Sequence, residues 1–339
     1  MNQVIHIDGS PTRFIQTGSD TVLRAALRAG IGFPYECNSG GCGSCKFEIV
    51  AGEVQVLWPE APGLMDRDRR KGRHLACQCV ATGELTIKVR TDAAYVPRIP
   101  PRRRRARLVG TTDVTHDIRE FRFVSEGTAD FLPGQYASVV IDGVGAPRAY
   151  SMSNLPNAEG EWHFQIRRVH QGQATTRLFH ALQVGHEVEI DGPYGLAYLR
   201  EDNTRDIVCV AGGSGLAPMV SIARGAATAG LLGTRKLYFF YGGRTPRDLC
   251  GEALLRELPG FGDAISYHPV ISEGGSDKAA AWSGNVGFIH EWLPRVLGEG
   301  LAQYEFYFAG PPPMTQAIQE MLMVTYHVPF QQIHFDRFF

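Results

Sequence analysis

The sequence has no strong excess of charge of either sign. Its 34 Lys and Arg residues balance 35 Asp and Glu residues, for a formal net charge of −1. Proteins that bind nucleic acid along its phosphates usually carry a basic excess, so we expect no nucleic-acid partner. The chain also has no apolar run long enough to span a bilayer, so we expect no membrane partner.

Two further absences concern export and cysteine chemistry. Residues 1–8 lack the basic and apolar regions of a signal peptide. The chain has seven cysteines, an odd number, which without an export signal favours free or ligated thiols in a reducing compartment. We therefore expect a cytoplasmic protein. No Cys-x-His pair occurs, which argues against a Rieske centre because that centre needs two His ligands.

One cysteine-rich stretch, residues 35–46, stands out. Its cysteines follow the spacing C-x4-C-x2-C, which is the plant-type spacing for a [2Fe–2S] cluster and requires a fourth thiolate further along. The intervening glycines permit the positive φ values of a loop that wraps a cluster. The three cysteines are Cys37, Cys42 and Cys45.

The fourth ligand is predicted to be Cys77. Cys79 is a competitor, because side chains two residues apart on a strand point to the same face. A structural zinc site with four thiolates and a set of unligated core thiols remain alternatives.

Residues 1–92 are predicted to form a small β-rich unit with one helix. Asp20 is the expected N-cap of this helix, and Gly30 is expected to end it. Residues 84–90 alternate strictly between apolar and polar side chains, as a half-buried strand does. Short strands, one helix and a cysteine loop after the helix suit a β-grasp ferredoxin domain.

Residues 93–105 contain three prolines and a run of arginines. We interpret this segment as a solvated, semi-rigid linker across which few contacts pass, with a docking patch for an acidic partner or a neighbouring domain as the alternative. A second basic cluster precedes Cys77 and is a better candidate for docking. It consists of Arg67, Arg69, Arg70, Lys71 and Arg73.

Residues 106–203 contain several short strands, and an antiparallel barrel is the natural closure for them. Residues 161–169 alternate in polarity, and residues 148–151 place a cation, an aromatic ring and a hydroxyl on one strand. Gly172 opens a helix whose free N–H groups could bind a phosphate.

Residues 204–339 have the pattern of an α/β domain. A continuous apolar strand over 207–211 runs into glycines 212–215 and then a helix, which suggests dinucleotide phosphates at a helix N-terminus. The loop departs from the standard fingerprint, because Pro218 replaces the third glycine and Tyr241 is followed by Gly242, Gly243 and Arg244 rather than by an acidic residue for a ribose. A purely structural turn is the alternative.

Together the three regions resemble the ferredoxin–NADP reductase superfamily, in the group with a plant-type ferredoxin domain at the N-terminus. The motifs occur in that family's order and cover the whole chain. More narrowly, the segments around the cysteines and the ending 333–339 are similar to the reductase component of toluene monooxygenase-type diiron enzymes. The resemblance implies a β-grasp ferredoxin, a flavin-binding antiparallel barrel and a parallel-sheet nicotinamide-binding domain, with Cys77 as the fourth cluster ligand.

The resemblance also implies two sets of cofactor-binding residues. Within them, Arg148 would bind the flavin diphosphate, Tyr150 would pack on the isoalloxazine, and Ser151 would lie near the flavin N5. Ser151 and Asp336 are the implied catalytic residues. The set for FAD is Arg148, Ala149, Tyr150, Ser151, Ile166, Val169, Gly172, Ala174, Thr175 and Phe338. The set for NADH is Gly212, Gly213, Ser214, Gly215, Pro218, Tyr241, Arg244, Gly310 and Pro311.

One position departs from the family pattern, since Ala309 stands where a cysteine often precedes Gly-Pro. Hydride transfer would then rest on positioning and on flavin electronics. NADH is expected over NADPH, because only Arg244 and Arg247 follow Tyr241 and Asp248 lies beside them.

The expected function is an electron-transfer reductase that passes electrons from NADH to FAD, then to the [2Fe–2S] cluster and on to an oxygenase or hydroxylase component. The expected acceptor is a toluene-type or alkene diiron monooxygenase, reached directly or through a Rieske ferredoxin, and the chain is expected to be a monomer. The alternatives are a reductase for a Rieske-type oxygenase, a reductase for a sugar-deoxygenation dehydratase, and a redox-sensing or metal-binding adaptor with a degenerate flavin site.

Overall fold

The computed structural model describes residues 2–274 and 282–338. Its strands form three main sheets in three consecutive parts of the chain. A mixed sheet is followed by an antiparallel barrel and then by a parallel sheet, which confirms the predicted architecture. Within the described residues, no helix is long and apolar enough to cross a membrane.

The first domain is built on a five-stranded mixed sheet of order β2-β1-β7-β3-β5, with β4 and β6 paired separately. Its one long helix packs its apolar face into the core between the sheet and the cysteine loop. The elements are β1 (Gln3–Ile7), β2 (Arg13–Gln16), α1 (Val22–Arg28), β3 (Lys46–Ala51), β4 (Val54–Val56), α2 (Asp66–Arg69), β5 (Arg73–Leu75), β6 (Cys79–Ala81) and β7 (Leu85–Lys88).

The N-cap of α1 is Thr21, and the prediction of Asp20 was wrong. The Thr21 hydroxyl accepts a hydrogen bond from the Arg24 N–H at 3.3 Å. The Asp20 carboxylate instead pairs with Arg28 at 2.9 Å and with Arg103 at 2.6 Å, so it is engaged away from the helix end. Gly30 follows the helix at φ +73°, the left-handed conformation expected just after a helix end.

The second domain is a six-stranded antiparallel sheet of order β11-β10-β13-β8-β9-β12. A bridge between Met152 and Phe164 joins the chain after β11 to β12 and closes the sheet into a barrel. The alternating residues Trp162, Phe164 and Ile166 are buried in its core, as predicted. The elements are β8 (Arg102–Asp113), β9 (Ile118–Ser125), β10 (Tyr136–Val140), β11 (Arg148–Ser151), β12 (Glu161–Arg167), α3 (Gln173–His180) and β13 (Glu187–Tyr194).

The arginine run belongs to the barrel, and its interpretation as linker was wrong. Residues 102–105 pair in register with 189–192 of β13 at the start of the barrel. Arg103 reaches back to Asp20, and the guanidinium of Arg104 lies 5.4 Å from the ring centre of Trp162. The cross-strand pairing outweighs the tendency of a charged run to stay solvated.

Many contacts join the first domain to the barrel, contrary to the expectation of few. Tyr136 and Tyr194 of the barrel are part of the hydrophobic core of the first domain. Arg28 donates to the buried Asp191 at 2.8 Å and also pairs with Asp20. Tyr194 donates to the other Asp191 oxygen at 3.0 Å. The two domains are therefore joined by an interface of apolar contacts and ion pairs.

The third domain is a parallel sheet of order β17-β16-β15-β14-β18-β19. The strand order reverses between β14 and β18, and ligands of open α/β sheets bind at such a switch point. The elements are β14 (Asp206–Gly212), α4 (Leu216–Thr228), β15 (Leu237–Gly243), α5 (Glu252–Arg256), β16 (Ile265–Ile271), β17 (Asn285–Val286), α6 (Ile289–Leu297), β18 (Tyr304–Gly310), α7 (Pro312–Glu320) and β19 (Ile333–Arg337).

Candidate redox site at the junction of three domains

The cysteine loop directs backbone N–H groups at its own sulfurs. The amides of Ser39 and Cys42 each lie 3.4 Å from the Cys37 sulfur, and the Ser44 amide lies 3.4 Å from the Cys42 sulfur. Hydrogen bonding from the Cys42 thiol, which outweighs burial, holds the pKa of Cys37 well below its ordinary value. The loop therefore favours a thiolate at Cys37, the form in which cysteine binds iron. Hydrogen bonding to neighbouring thiols, together with burial, instead raises the pKa of Cys42 and Cys45.

The predicted cluster ligands lie together as two pairs. Cys37 is within hydrogen-bonding reach of Cys42, and Cys45 is within reach of Cys77. In residues 2–274 and 282–338, no three His, Cys, Asp or Glu side chains converge on a single metal ion. Two pairs fit a two-iron cluster, in which each iron takes two thiolates, better than a zinc site with four ligands at one point.

Cys77 and Cys79 differ in local structure. Cys77 lies in a 3₁₀ turn, Ala76–Gln78, next to Cys45, whereas Cys79 begins β6. They do not share a strand, so the reason for treating Cys79 as a competitor does not apply. Burial raises the pKa of the Cys79 thiol to about 12, which favours a neutral core thiol. The assignment of Cys77 stays a prediction that this arrangement supports.

Close packing explains two of the glycines in the loop. Gly40 and Gly43 have φ values of +91° and +77°, in the region that favours glycine. A Cβ on Gly43 would overlap the carbonyl oxygen of Gly63, and one on Gly40 would lie 3.2 Å from the Trp58 ring. The loop is thus held between its own turn and the segment that covers it.

Both other domains hold the residues directly before Cys37. The Glu36 carboxylate accepts two hydrogen bonds of 2.9 Å from the Arg337 guanidinium of β19. The Tyr136 hydroxyl of the barrel donates to the Glu36 carbonyl oxygen at 2.8 Å, and the Gly195 N–H donates to the Tyr35 hydroxyl at 3.0 Å. We call the Glu36–Arg337 pair with the Tyr136 bond the clasp. It brings the cysteine loop, the barrel and the third domain, which is predicted to bind the nucleotide and is called the nucleotide domain below, to one point.

Asp336 lies beside the clasp and is buried. One of its carboxylate oxygens has no hydrogen-bond partner among the described residues. Burial, together with the charges of Glu36 and Cys37, raises the pKa of Asp336 to about 8. A protonated carboxyl at neutral pH could donate a hydrogen bond, and the unsatisfied oxygen is consistent with a group that binds here.

The predicted flavin strand β11 ends next to the clasp. Ser151 is buried and is the register partner of Tyr136 on β10. Ala149 is exposed, and the half-buried Tyr150 ring lies 6.4 Å from Phe164. One guanidinium nitrogen of Arg148 donates to the Ala146 carbonyl oxygen at 2.8 Å, which leaves its other donors for a diphosphate.

The predicted diphosphate loop begins α3, with Gly172 at the N-cap. The Thr175 hydroxyl donates to loop carbonyl oxygens and accepts from the Val169 N–H at 3.2 Å, so it shapes the loop. The side chains of Ala174 and Ile166 are buried in the barrel core. If Ala174 contacts a diphosphate, it must therefore do so through its backbone. The roles of these residues, and that of the half-buried Phe338, stay predictions.

The glycine loop after β14 packs closely against the end of β18 at the switch point of the sheet. Gly213 has φ +57°, and its carbonyl oxygen accepts a hydrogen bond from the Tyr241 hydroxyl at 3.1 Å. A Cβ on Gly215 would overlap the Ala309 carbonyl oxygen, and one on Gly310 would lie 3.0 Å from the Gly212 carbonyl oxygen. Glycine is required for the two strand ends to approach this closely.

A cavity of about 200 Å³ opens at this edge, between the nucleotide domain and the barrel. Five of the predicted NADH residues line it, and four do not. Those on the wall are Gly212, Gly213, Tyr241, Arg244 and Pro311. Ser214, Gly215, Pro218 and Gly310 are not on its wall, and Pro218 is buried in the first turn of α4.

Sequence reasoning missed residues on the cavity wall that come from other elements. Asp117 and Arg167 of the barrel form a 2.6 Å ion pair there, and Ser272 follows the end of β16. Asp248 also lines the cavity, and one of its oxygens accepts from the Thr245 N–H at 2.8 Å. The ends of neighbouring parallel strands meet at one edge of a sheet, and this rule could have identified Ser272. No local sequence signal marks the two barrel residues.

Comparison with known proteins identifies each domain. Residues 5–82 match the 2Fe-2S iron-sulfur cluster binding domain, residues 105–198 the oxidoreductase FAD-binding domain, and residues 209–320 the oxidoreductase NAD-binding domain. The chain is 45% identical to a ferredoxin–NAD(P)+ reductase of Metapseudomonas resinovorans, over 94% of each chain. The chain belongs to the ferredoxin–NAD(P)+ reductase family. It is an oxidoreductase with domains for a [2Fe–2S] cluster, FAD and NAD.

Other relatives of this reductase serve different oxygenases. It is 43% identical to the reductase component of the alkene monooxygenase system of Xanthobacter autotrophicus, over 94% of this chain and 95% of the relative. It is 33% identical to the electron transfer component of the xylene/toluene monooxygenase of Pseudomonas putida, over 99% and 93%.

Solved structures agree with the fold. The ferredoxin reductase of a carbazole 1,9a-dioxygenase superposes with a TM-score of 0.92 at 39% identity, over 100% of this chain and 99% of that one. An Amycolatopsis cytochrome P450 reductase superposes with a TM-score of 0.83 at 28% identity, over 99% and 98%.

Proposed function

We propose that this reductase takes electrons from NADH and delivers them to the oxygenase component of a multicomponent monooxygenase that acts on aromatic hydrocarbons or alkenes. The alkene and xylene/toluene relatives support this acceptor class. The cytoplasm is the proposed compartment and a monomer the proposed state. A Rieske ferredoxin between reductase and oxygenase is the proposed indirect route.

The observation that carries the proposal is the meeting of three domains at the cysteine loop. Glu36 is held by Arg337 and Tyr136, and Cys37 follows Glu36 directly. Ser151 of the predicted flavin strand pairs with the same Tyr136. When bound, FAD accepts two electrons as a hydride and releases them singly to an iron–sulfur cluster, so the two groups must lie close together.

The chain's own residues contribute positioning and charge. The clasp orients the cysteine loop toward β11, while the cavity at Gly212 and Pro311 can hold a dinucleotide beside it. Arg167 pairs with Asp117 and offsets its charge, so the Asp248 carboxylate is the group on the cavity wall that would repel an additional phosphate on the ribose. This repulsion supports the proposed preference for NADH over NADPH.

A Rieske-type aromatic dioxygenase is the second candidate acceptor. The similarity to the reductase of a carbazole dioxygenase, at 39% identity and a TM-score of 0.92, favours it. The two acceptors require the same reductase architecture, so they differ only in what docks at the cluster.

Reconstitution tests the proposal and separates the candidates. The holoprotein is mixed with NADH, oxygen, substrate and either a purified diiron hydroxylase, with and without a Rieske ferredoxin, or a purified Rieske oxygenase with its ferredoxin. We expect NADH consumption coupled to hydroxylated product with the diiron enzyme. Uncoupled NADH consumption there, with coupled turnover by the Rieske enzyme, would establish the second candidate instead.

A further inference from the structure

Three exposed apolar side chains lie in the segment that covers the cysteine loop. Leu57, Trp58 and Met65 are 51%, 45% and 46% exposed in the segment between β4 and α2. Large exposed apolar side chains that cluster on a small domain commonly mark an interaction site. We call these three residues the outer patch.

The segment that carries the outer patch contacts the part of the loop that the clasp leaves free. The Gly63 N–H donates to the Gly40 carbonyl oxygen at 2.9 Å, and the Trp58 ring lies against Gly40. The clasp instead holds residues 35–36. The start of the loop therefore contacts the barrel and the nucleotide domain. The part around Gly40 is instead covered by the segment whose exposed side chains form the outer patch.

Exposed cations border the outer patch. Arg69 donates to the Pro59 carbonyl oxygen and so joins α2 to the patch. Arg67, Arg70 and Lys71 are exposed and have no ion-pair partner among the described residues. Asp68, the carboxylate between them, is buried and neutralised by Lys46 at 2.8 Å and Arg73 at 3.3 Å.

The local charge at this rim is positive. Its exposed carboxylates are Glu60 and Asp66, against four cations over residues 67–71. The whole chain carries a net charge of only −1, so this positive rim is a local feature. Such a field speeds the approach of a partner of opposite sign, and an apolar centre with a charged rim is the usual anatomy of a docking surface.

We propose that the outer patch docks the protein that accepts electrons from the cluster, and that this protein presents an acidic rim around an apolar centre. The proposal rests on the proposed function and names the surface and partner chemistry for it. NADH is oxidised to NAD+ with release of a proton, and its two electrons reduce two molecules of a one-electron acceptor.

Two haem proteins of opposite charge serve as probes: the soluble domain of cytochrome b5, which is acidic, and cytochrome c, which is basic. Ferricyanide is the small acceptor that needs no docking surface. The test variant is Arg67→Glu/Arg70→Glu, and Leu57→Ser tests the apolar centre. The control variant Arg107→Glu/Lys236→Glu makes the same charge change at exposed positions of the other two domains. Iron, FAD content and ferricyanide reduction are measured for every variant.

We expect kcat/KM for cytochrome b5 to fall about tenfold in Arg67→Glu/Arg70→Glu at low salt, within the range of electrostatic steering. The loss should disappear at high salt, cytochrome c reduction should rise, and Leu57→Ser should slow cytochrome b5 reduction at all salt concentrations. The control variant and ferricyanide reduction should not change.

Two results would overturn the docking surface: an equal loss in the control variant, or wild-type rates for cytochrome b5 in both patch variants. A failure of the proposed function looks different. In that case the wild-type protein would reduce ferricyanide and cytochrome b5 with NADH but would support no hydroxylated product with the diiron hydroxylase.

Discussion

Cys77 and Cys79 lie two residues apart but have different neighbours. Cys77 is next to Cys45 in the cysteine loop, whereas Cys79 is a fully buried thiol at the start of β6. We expect Cys77→Ser to lose more than half of its iron per chain, and Cys79→Ala to keep wild-type iron. Iron analysis and visible absorbance measure both. Full iron in Cys77→Ser, or its loss in Cys79→Ala alone, would reverse the assignment.

Asp248 places a carboxylate on the wall of the nucleotide cavity. Asp248→Asn keeps an oxygen for the Thr245 N–H but removes the charge that would repel a 2′-phosphate. A unit charge near 4 Å is worth about 1 kcal/mol in water, so kcat/KM for NADPH should rise roughly fivefold with little change for NADH. Asp263→Asn, exposed elsewhere in this domain, is the matched control. An equal change for both nucleotides would argue against the charge effect.

Local patterns predicted the structural features that are set by neighbours in sequence. The cysteine spacing predicted a tight loop, the alternation predicted β12, and the glycines predicted a close turn after β14. Each pattern reflects a backbone requirement within a few residues. Asp20 was misassigned because its ion pairs with Arg28 and Arg103 compete with capping, and Arg103 is far away in sequence.

The clasp couples β19 and β10 to the cysteine loop. Arg337 is separated from Glu36 by almost the whole chain, so no sequence pattern could reveal the pair. Arg337→Met should slow electron transfer to the cluster several-fold, because Glu36 is then no longer fixed to β19 and the rate of electron transfer falls as the distance between flavin and cluster grows. Stopped-flow absorbance should show flavin reduction by NADH at an unchanged rate.

A charge swap controls for nonspecific damage. Glu36→Arg/Arg337→Glu should recover part of the transfer rate that Arg337→Met loses, because the swapped side chains can pair again. If Arg337→Met transferred electrons at the wild-type rate, the clasp would be a structural contact without influence on transfer.

The arginine run shows why element boundaries were harder to predict than element types. Its composition is that of a linker, yet residues 102–105 pair with β13 and begin the barrel. Pairing between strands that are distant in sequence overrides local composition here. The same long-range packing brings Tyr136 and Tyr194 into the core of the first domain.

The molecule as a whole is held by the interface between the first domain and the barrel. A fragment of residues 101–339 keeps β8 complete but exposes Tyr136 and Tyr194, so it should melt below the full chain. A fragment of residues 106–339 also loses the paired residues 102–105. Its melting temperature should be lower again by roughly 5 °C, because each kcal/mol of lost stability lowers the melting temperature of a chain of this size by about 2–4 °C. Thermal melts with FAD fluorescence measure both, and equal melting of all three would place the stabilising contacts elsewhere.

The order of electron transfer through the junction is tested most directly by rapid mixing with NADH. The holoprotein is mixed anaerobically with one equivalent of NADH, flavin absorbance is followed, and frozen samples are examined by electron paramagnetic resonance for the reduced cluster. We predict that flavin absorbance falls first and that the cluster signal then grows to one electron per chain. A cluster that stays oxidised while the flavin is fully reduced would contradict the account.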